Sequence, residues 1–170
     1  MEVANIVARS AEQKRKRQRG EDFQDQLRDS WLQVPNIWRA HLNEASGSRP
    51  ADDIVLTEPI NILFEAKRTE DTAFRLGFLR QNQINGLLDF EKVIDRNYGL
   101  VFINFLDHKE GIDETYTFRL IKALKYMLAK ESLSIKLEEL REGKADSLLL
   151  PALPDRLYDV EEVLKCYKQL

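Results

Sequence analysis

Apolar positions along the chain follow two rhythms, one helical and one extended. Phe23, Leu27 and Trp31 recur at i, i+4 and i+8, one face of a helix. That spacing predicts a helix over Ser10 to Leu32, after a frayed stretch over residues 1–9. Gly20 inside it marks a break or a point of close approach. Pro35 ends the helix, and Ile37 to Ala40 reads as a short edge strand with Trp38 in the core. Asn43 to Arg49, with Ala45-Ser46-Gly47-Ser48, reads as a flexible polar loop. Two extended runs follow, Asp53-Ile54-Val55-Leu56 and Asn61-Ile62-Leu63-Phe64, joined through Thr57-Glu58-Pro59. They read as a hairpin with Pro59 at a turn position.

Leu79 to Ile94 returns to the helical rhythm, with Ile84, Leu87, Leu88 and Val93 facing a sheet. Tyr98 to Phe105 is apolar on both faces, so it is expected in the centre of that sheet. Asp107 to Asp113 is turn-rich, and Thr115 to Phe118 alternates as an edge strand. Leu120 to Lys130 is helical, with Leu120, Ala123, Leu124, Met127 and Leu128 on one stripe. Ile135 to Glu142 predicts a short helix, and Leu148 to Pro154 is apolar and punctuated by proline. A last helix is expected from Asp159 to about Gln169. This order of elements predicts an α/β (α+β) fold, a mixed central β-sheet flanked by helices. The 170 residues fit a single domain, with residues 1–20 as a basic arm and 131–170 as an extension closing the core or covering a second protomer.

Composition narrows the class. No run of about eighteen apolar residues suits a membrane span, and the N-terminus lacks the apolar stretch of a secretory signal. A cytoplasmic setting is expected. The single cysteine, Cys166, excludes an internal disulfide and a zinc set, and His41 and His108 lack metal spacing. A net charge of −3 argues against a general polyanion binder. The local exception is Lys14-Arg15-Lys16-Arg17-Gln18-Arg19, a run suited to gripping phosphates. Arg68, Arg75 and Arg80 add guanidinium groups suited to the same task.

The chemistry concentrates in Asn61-Ile62-Leu63-Phe64-Glu65-Ala66-Lys67-Arg68. Side chains two apart on a strand share a face. Glu65 and Lys67 therefore point one way, and Ile62, Phe64 and Ala66 the other, into a core. An antiparallel hairpin is expected to bring Asp53 near Glu65. Two carboxylates suit Mg²⁺, a hard cation with a preference for oxygen, and the Ala66 carbonyl is a candidate further ligand. Lys67 would orient or deprotonate a water, or meet charge on a phosphate. Gln83 can sit at the pocket edge and orient that water or hold a phosphate oxygen.

Pro50…Asp53 followed by Glu65-Ala66-Lys67 resembles the PD-(D/E)xK nuclease superfamily. The ordered set Gly20-Glu21-Asp22-Phe23-Gln24, Asp53, Phe64-Glu65-Ala66-Lys67, Asn82-Gln83-Ile84 and Gly99 to Phe105 is similar to that of Holliday junction resolvases of the RecU-like, phage and archaeal kind, over about residues 15–120. The resemblance implies a restriction-endonuclease-like sheet. It implies a Mg²⁺-dependent endodeoxyribonuclease, with Mn²⁺ able to substitute, that serves DNA recombination and repair. Four-way junctions would be cut by paired nicks, with Asp53, Glu65, Lys67 and Gln83 as the catalytic set. Symmetric cutting implies a homodimer, and a bacteriophage relative implies the host cytoplasm. Two departures stand out. Gln24 occupies the place of the family's first-helix carboxylate, unless Glu21 takes it on a turned helix. Asp53 lies twelve residues before Glu65, one fewer than in the relatives, a spacing that Asp52 would restore. Asp53 is preferred because Asp-Ile-Val-Leu starts a strand. The alternatives are another nuclease of the superfamily, acting on flaps, ends or duplex, and a catalytically inactive DNA-binding or phage assembly protein of the same fold.

Overall fold

A computed structural model describes residues 2–42 and 49–170, with the backbone alone for residues 2–11 and 16. The expected polar loop falls largely outside the described residues.

Helix α1 (Glu2–Leu32) leads into strand β1 (Trp38–His41), then β2 (Asp53–Leu56), β3 (Asn61–Thr69) and the short β4 (Ala73–Arg75). Helix α2 (Gln81–Val93) crosses over to β5 (Asn97–Asp107), which turns back into β6 (Ile112–Arg119). Helix α3 (Leu120–Ala129), β7 (Ser134–Lys136), α4 (Leu137–Arg141), β8 (Leu148–Leu150) and α5 (Glu161–Cys166) complete the order. Six strands form one mixed sheet in the order β1-β2-β3-β5-β6-β8, and β4 pairs with β7 apart from it. Among the described residues only β3 and β5 run parallel, and α2 supplies the long connection that a parallel pair requires. The β2–β3 hairpin is antiparallel, as its turn chemistry predicts.

Alternation along the central strands divides the core into two layers. Ile62, Phe64 and Ala66 of β3, with Leu100 and Phe102 of β5, pack beneath α1 against Phe23, Leu27 and Trp31. Leu63, Val101, Ile103 and Phe105 face the opposite layer, with Leu87 of α2 and Ala123 and Met127 of α3. A strand buried on both faces has little room for polar groups, which is why β5 is apolar from Leu100 to Ile103 and carries Asn104 only with hydrogen-bond partners around it. Phe23, Leu27 and Trp31 are fully buried, so the helical stripe read from spacing is the docking face of α1.

Several sequence expectations change. Helix α1 begins at Glu2 rather than Ser10 and runs through Gly20 without a break. A Cβ at Gly20 would meet nothing within 4 Å, so no close approach requires that glycine. β6 is an interior strand because Leu148–Leu150 pairs along its outer edge. The loop expected from Asp107 to Asp113 shrinks to a tight turn, with Gly111 at φ 67° in the left-handed region. The helix expected over Ile135 to Glu142 is shared between β7 and α4. Trp38 is 57% exposed on the edge strand, opposite the exposed Leu56, rather than in the core. Val93 and Leu128 also face outward, because each lies at or near the last turn of its helix, beyond the sheet.

Candidate active site

Strand β3 turns Glu65 toward the α2 layer, on the face it shares with Leu63 and Lys67, and leaves it only 1% exposed. A carboxylate removed from water needs donors, and it has two on one oxygen. Lys67 Nζ donates to Oε1 at 2.6 Å, and Gln83 Nε2 donates to the same atom at 2.5 Å. The other oxygen, Oε2, is buried with no hydrogen-bond partner among the described residues. Gln83 is held from both ends, since its Oε1 accepts the Arg80 backbone N–H at 2.8 Å at the start of α2. The spacing of Glu65 and Lys67 on one face is as the strand period requires.

The second carboxylate differs from the one expected. Asp53 pairs in register with Phe64, not with Glu65. Residues directly opposite on a ladder share a face, so Asp53 turns to the α1 side. Asp52, one residue earlier, sits where the β2–β3 ladder has ended, and it is fully buried. Its Oδ2 accepts the Ala66 backbone N–H at 2.8 Å and Gln24 Nε2 at 3.1 Å, and its Oδ1 accepts from the Arg49 guanidinium. Asp52 thus lies thirteen residues before Glu65 and supplies the partner that the preference for Asp53 misplaced. Burial first, and then the negative charge of Asp52, push the Glu65 carboxyl up to about 7; Lys67 and Arg49 pull the other way.

Asp53 has its own surroundings. Arg39 Nη1 donates to it at 3.1 Å, and Arg28 Nε and His41 Nδ1 lie 3.7 Å and 3.4 Å away. His41 stands directly opposite it on β1. Desolvation nevertheless raises the Asp53 carboxyl above its ordinary range, with His41, Arg28 and Arg39 opposing. Gln24 and Arg28, one turn apart on α1, therefore read the consecutive residues Asp52 and Asp53. Arg49 and the Arg28–Arg39–His41 group were not singled out from sequence. The signal for Arg49 was its place three residues before a buried aspartate.

The remaining candidates scatter. Glu21 pairs with Arg17 at 2.8 Å on the exposed side of α1, away from the acid pair. Arg68 is bound internally. Its Nε donates to Asn104 at 2.6 Å, its Nη2 to Gln26 at 2.6 Å, and its guanidinium lies 5.0 Å over the Phe23 ring. Strand alternation places it on the α1 face, opposite Lys67. Arg19 pairs with Glu70, and Arg75 approaches Asp71 at 3.6 Å. Lys14, Arg15 and Arg80 are exposed, and the Lys16 side chain lies outside the described residues.

No family model and no curated protein match this chain. Among solved structures it is similar to Archaeoglobus fulgidus Hjc, a Holliday junction resolvase from an archaeal hyperthermophile. The TM-score is 0.47 and the identity 12%, over 69% of this chain and 86% of that one. No helix among the described residues is long and apolar enough to cross a membrane.

The donor set suits a hard divalent cation. Two buried carboxylates lie close enough for the charge of one to raise the pKa of the other, and Glu65 Oε2 is an orphaned acceptor. Among the described residues no group of three or more His, Cys, Asp and Glu side chains gathers. Two carboxylates with waters is the pattern for Mg²⁺ rather than for a metal needing an all-protein cage.

Proposed function

We propose that this chain is a Mg²⁺-dependent, structure-selective DNA endonuclease, acting on branched DNA of the four-way junction kind. The observation that carries the reading is the buried Asp52–Glu65 pair, with Glu65 Oε2 unpartnered and Lys67 on the other oxygen. Asp52, Glu65 and the Ala66 carbonyl would hold the ion. Bound there, it would supply Lewis-acid polarisation of a phosphodiester and a more acidic water. Lys67 is a quarter exposed and links the buried carboxylate to solvent, so its ammonium can donate to a water or to a phosphate oxygen. Gln83 keeps Glu65 in one rotamer by donating to Oε1. Arg49 and Gln24 orient Asp52 from opposite oxygens. Cutting of both strands at symmetric positions would need a second copy of the site, hence a twofold homodimer. The basic turns of α1 at Lys14 to Arg19 would supply backbone contacts without sequence information.

One observation favours a second reading, a DNA-binding protein that does not cut. Gln24, a neutral amide, stands against Asp52 where a third carboxylate would add charge for the ion. A single assay separates the two. Synthetic four-way junction, flap and linear duplex are each incubated with Mg²⁺ and either the wild type or Asp52→Asn. Twin nicks in the junction by the wild type alone support the first reading. Cutting of every substrate makes the chain a broader nuclease. Binding with no cutting by either protein establishes the second reading.

A further inference from the structure

Helix α2 meets Glu65 and the segment that leads into Asp52 from a single face. Gln83 donates to Glu65 Oε1. One residue earlier, Asn82 Nδ2 donates to the Arg49 backbone carbonyl at 2.5 Å. One turn after Asn82, Gly86 lies directly over Pro50. A Cβ at Gly86 would come within 2.5 Å of Pro50 Cβ and 2.7 Å of its carbonyl oxygen. Real side chains do not tolerate such approaches, so the helix and the Arg49–Pro50 segment fit only because residue 86 is glycine. That segment leads through the fully buried Ala51 into Asp52, and the Arg49 side chain returns to Asp52 Oδ1.

We infer that α2 is the positioning element of the site. Asn82 and Gly86 hold the Arg49–Pro50 segment, and through it Asp52, against Glu65, while Gln83 holds Glu65 from the same helix. Neither Asn82 nor Gly86 reaches the carboxylates, so both act through Arg49 and Pro50. Beyond Asp53–Phe64 the Asp52 backbone N–H still donates to the Phe64 carbonyl and its carbonyl accepts the Leu42 N–H, each at 2.9 Å, so what is left for α2 to set is the segment leading into Asp52. Arg49 and Pro50 lie outside the strands, and on the α2 side they meet Asn82 and Gly86. This inference rests on the reading of Asp52 and Glu65 as a divalent-cation site, but it has a consequence that needs no ion. If Asp52 is held by α2, the hydrogen bond from the Ala66 N–H to Asp52 Oδ2 depends on α2 as well.

The test uses Asn82→Ala, Gly86→Ala and a control, Met127→Ala, a core truncation on α3 away from the pair. Amide exchange is followed by NMR on the metal-free proteins, and Mn²⁺ affinity by electron paramagnetic resonance of the free ion. Asn82 is partly exposed, so its alanine variant should fold even if Gly86→Ala does not. Exchange at Ala66 should speed about tenfold or more in Asn82→Ala relative to the other protected β3 amides, and Mn²⁺ binding should weaken about tenfold, as for residues that orient metal ligands. Met127→Ala should change exchange broadly and leave Mn²⁺ affinity unchanged. Unchanged Ala66 exchange in Asn82→Ala overturns the inference, and so does a selective effect of equal size in Met127→Ala. A wild type that binds no Mn²⁺ defeats the divalent-cation reading alone, since Ala66 exchange still decides whether α2 places Asp52.

Discussion

Replacing Glu65 by glutamine tests the acid pair at its centre. Burial and Asp52 push this carboxyl up to about 7 from an ordinary 4.5. That shift corresponds to about 3 kcal/mol against the charged form at about pH 8. Between the two values the folded chain keeps a proton that the unfolded chain has released. Stability therefore falls as pH rises through that window and levels off above it. Glu65→Gln removes both the slope and the buried charge. It also leaves Lys67 Nζ without its anionic partner, which offsets part of the gain. The net expectation in EDTA at about pH 8 is a variant more stable by about 1–2 kcal/mol, or roughly 2–8 °C in melting temperature for a chain of this size. Near pH 5 that advantage should vanish. Mg²⁺ should reverse the ranking, because binding stabilises the wild type by about 2.7 kcal/mol at a hundredfold excess over Kd and should not stabilise the variant. Thermal melts of both proteins across pH, with EDTA and with Mg²⁺, measure all of this. A variant that melts below the wild type in EDTA at about pH 8, beside a wild type indifferent to Mg²⁺, would refute the reasoning.

The other predictions separate neighbouring residues. Asp53→Asn should cost about 1–3 kcal/mol in urea unfolding, because Arg39 loses its carboxylate partner and Arg28 keeps only Asp25, yet it should keep the Mg²⁺-dependent rise in melting temperature. Asp52→Asn should lose that rise, and the opposite assignment would return the metal role to Asp53. Lys67→Ala should abolish cleavage while retaining junction binding in a gel-shift assay. Its stability loss should be larger at about pH 8 than near pH 5, where Glu65 can take up a proton; loss of binding and folding together would make Lys67 purely structural. Gly99→Ala places a Cβ within 2.5 Å of the Leu87 carbonyl oxygen. Such overpacking should lower stability by about 1–3 kcal/mol by thermal melt, and an unchanged melting temperature would show that α2 sits more loosely on β5 than the structure has it.

What the sequence determined by itself is local in origin. The helical stripe Phe23–Leu27–Trp31, the doubly apolar β5, the hairpin at Pro59 and the shared face of Glu65 and Lys67 all follow from periods of 3.6 and 2 residues over short spans. Gln83 was legible because it stands at the start of a helix that must pack on the strand bearing Glu65. Pairings between distant segments were not legible. Nothing near Thr115–Phe118 announces that Leu148–Leu150 will cover it, so an interior strand read as an edge. The choice between Asp52 and Asp53 was also tertiary. Strand alternation applies only while the ladder lasts, and the ladder stops at Asp53. One residue beyond it, the Ala66 N–H, Arg49 and Gln24 decide where the carboxylate goes. Arg68 shows the same limit. Its charge suggested DNA, whereas parity along β3 turns it inward to Asn104 and Gln26. Composition fixes which groups are present; the end of a hydrogen-bonded ladder and the helix packed against it fix which of them meet.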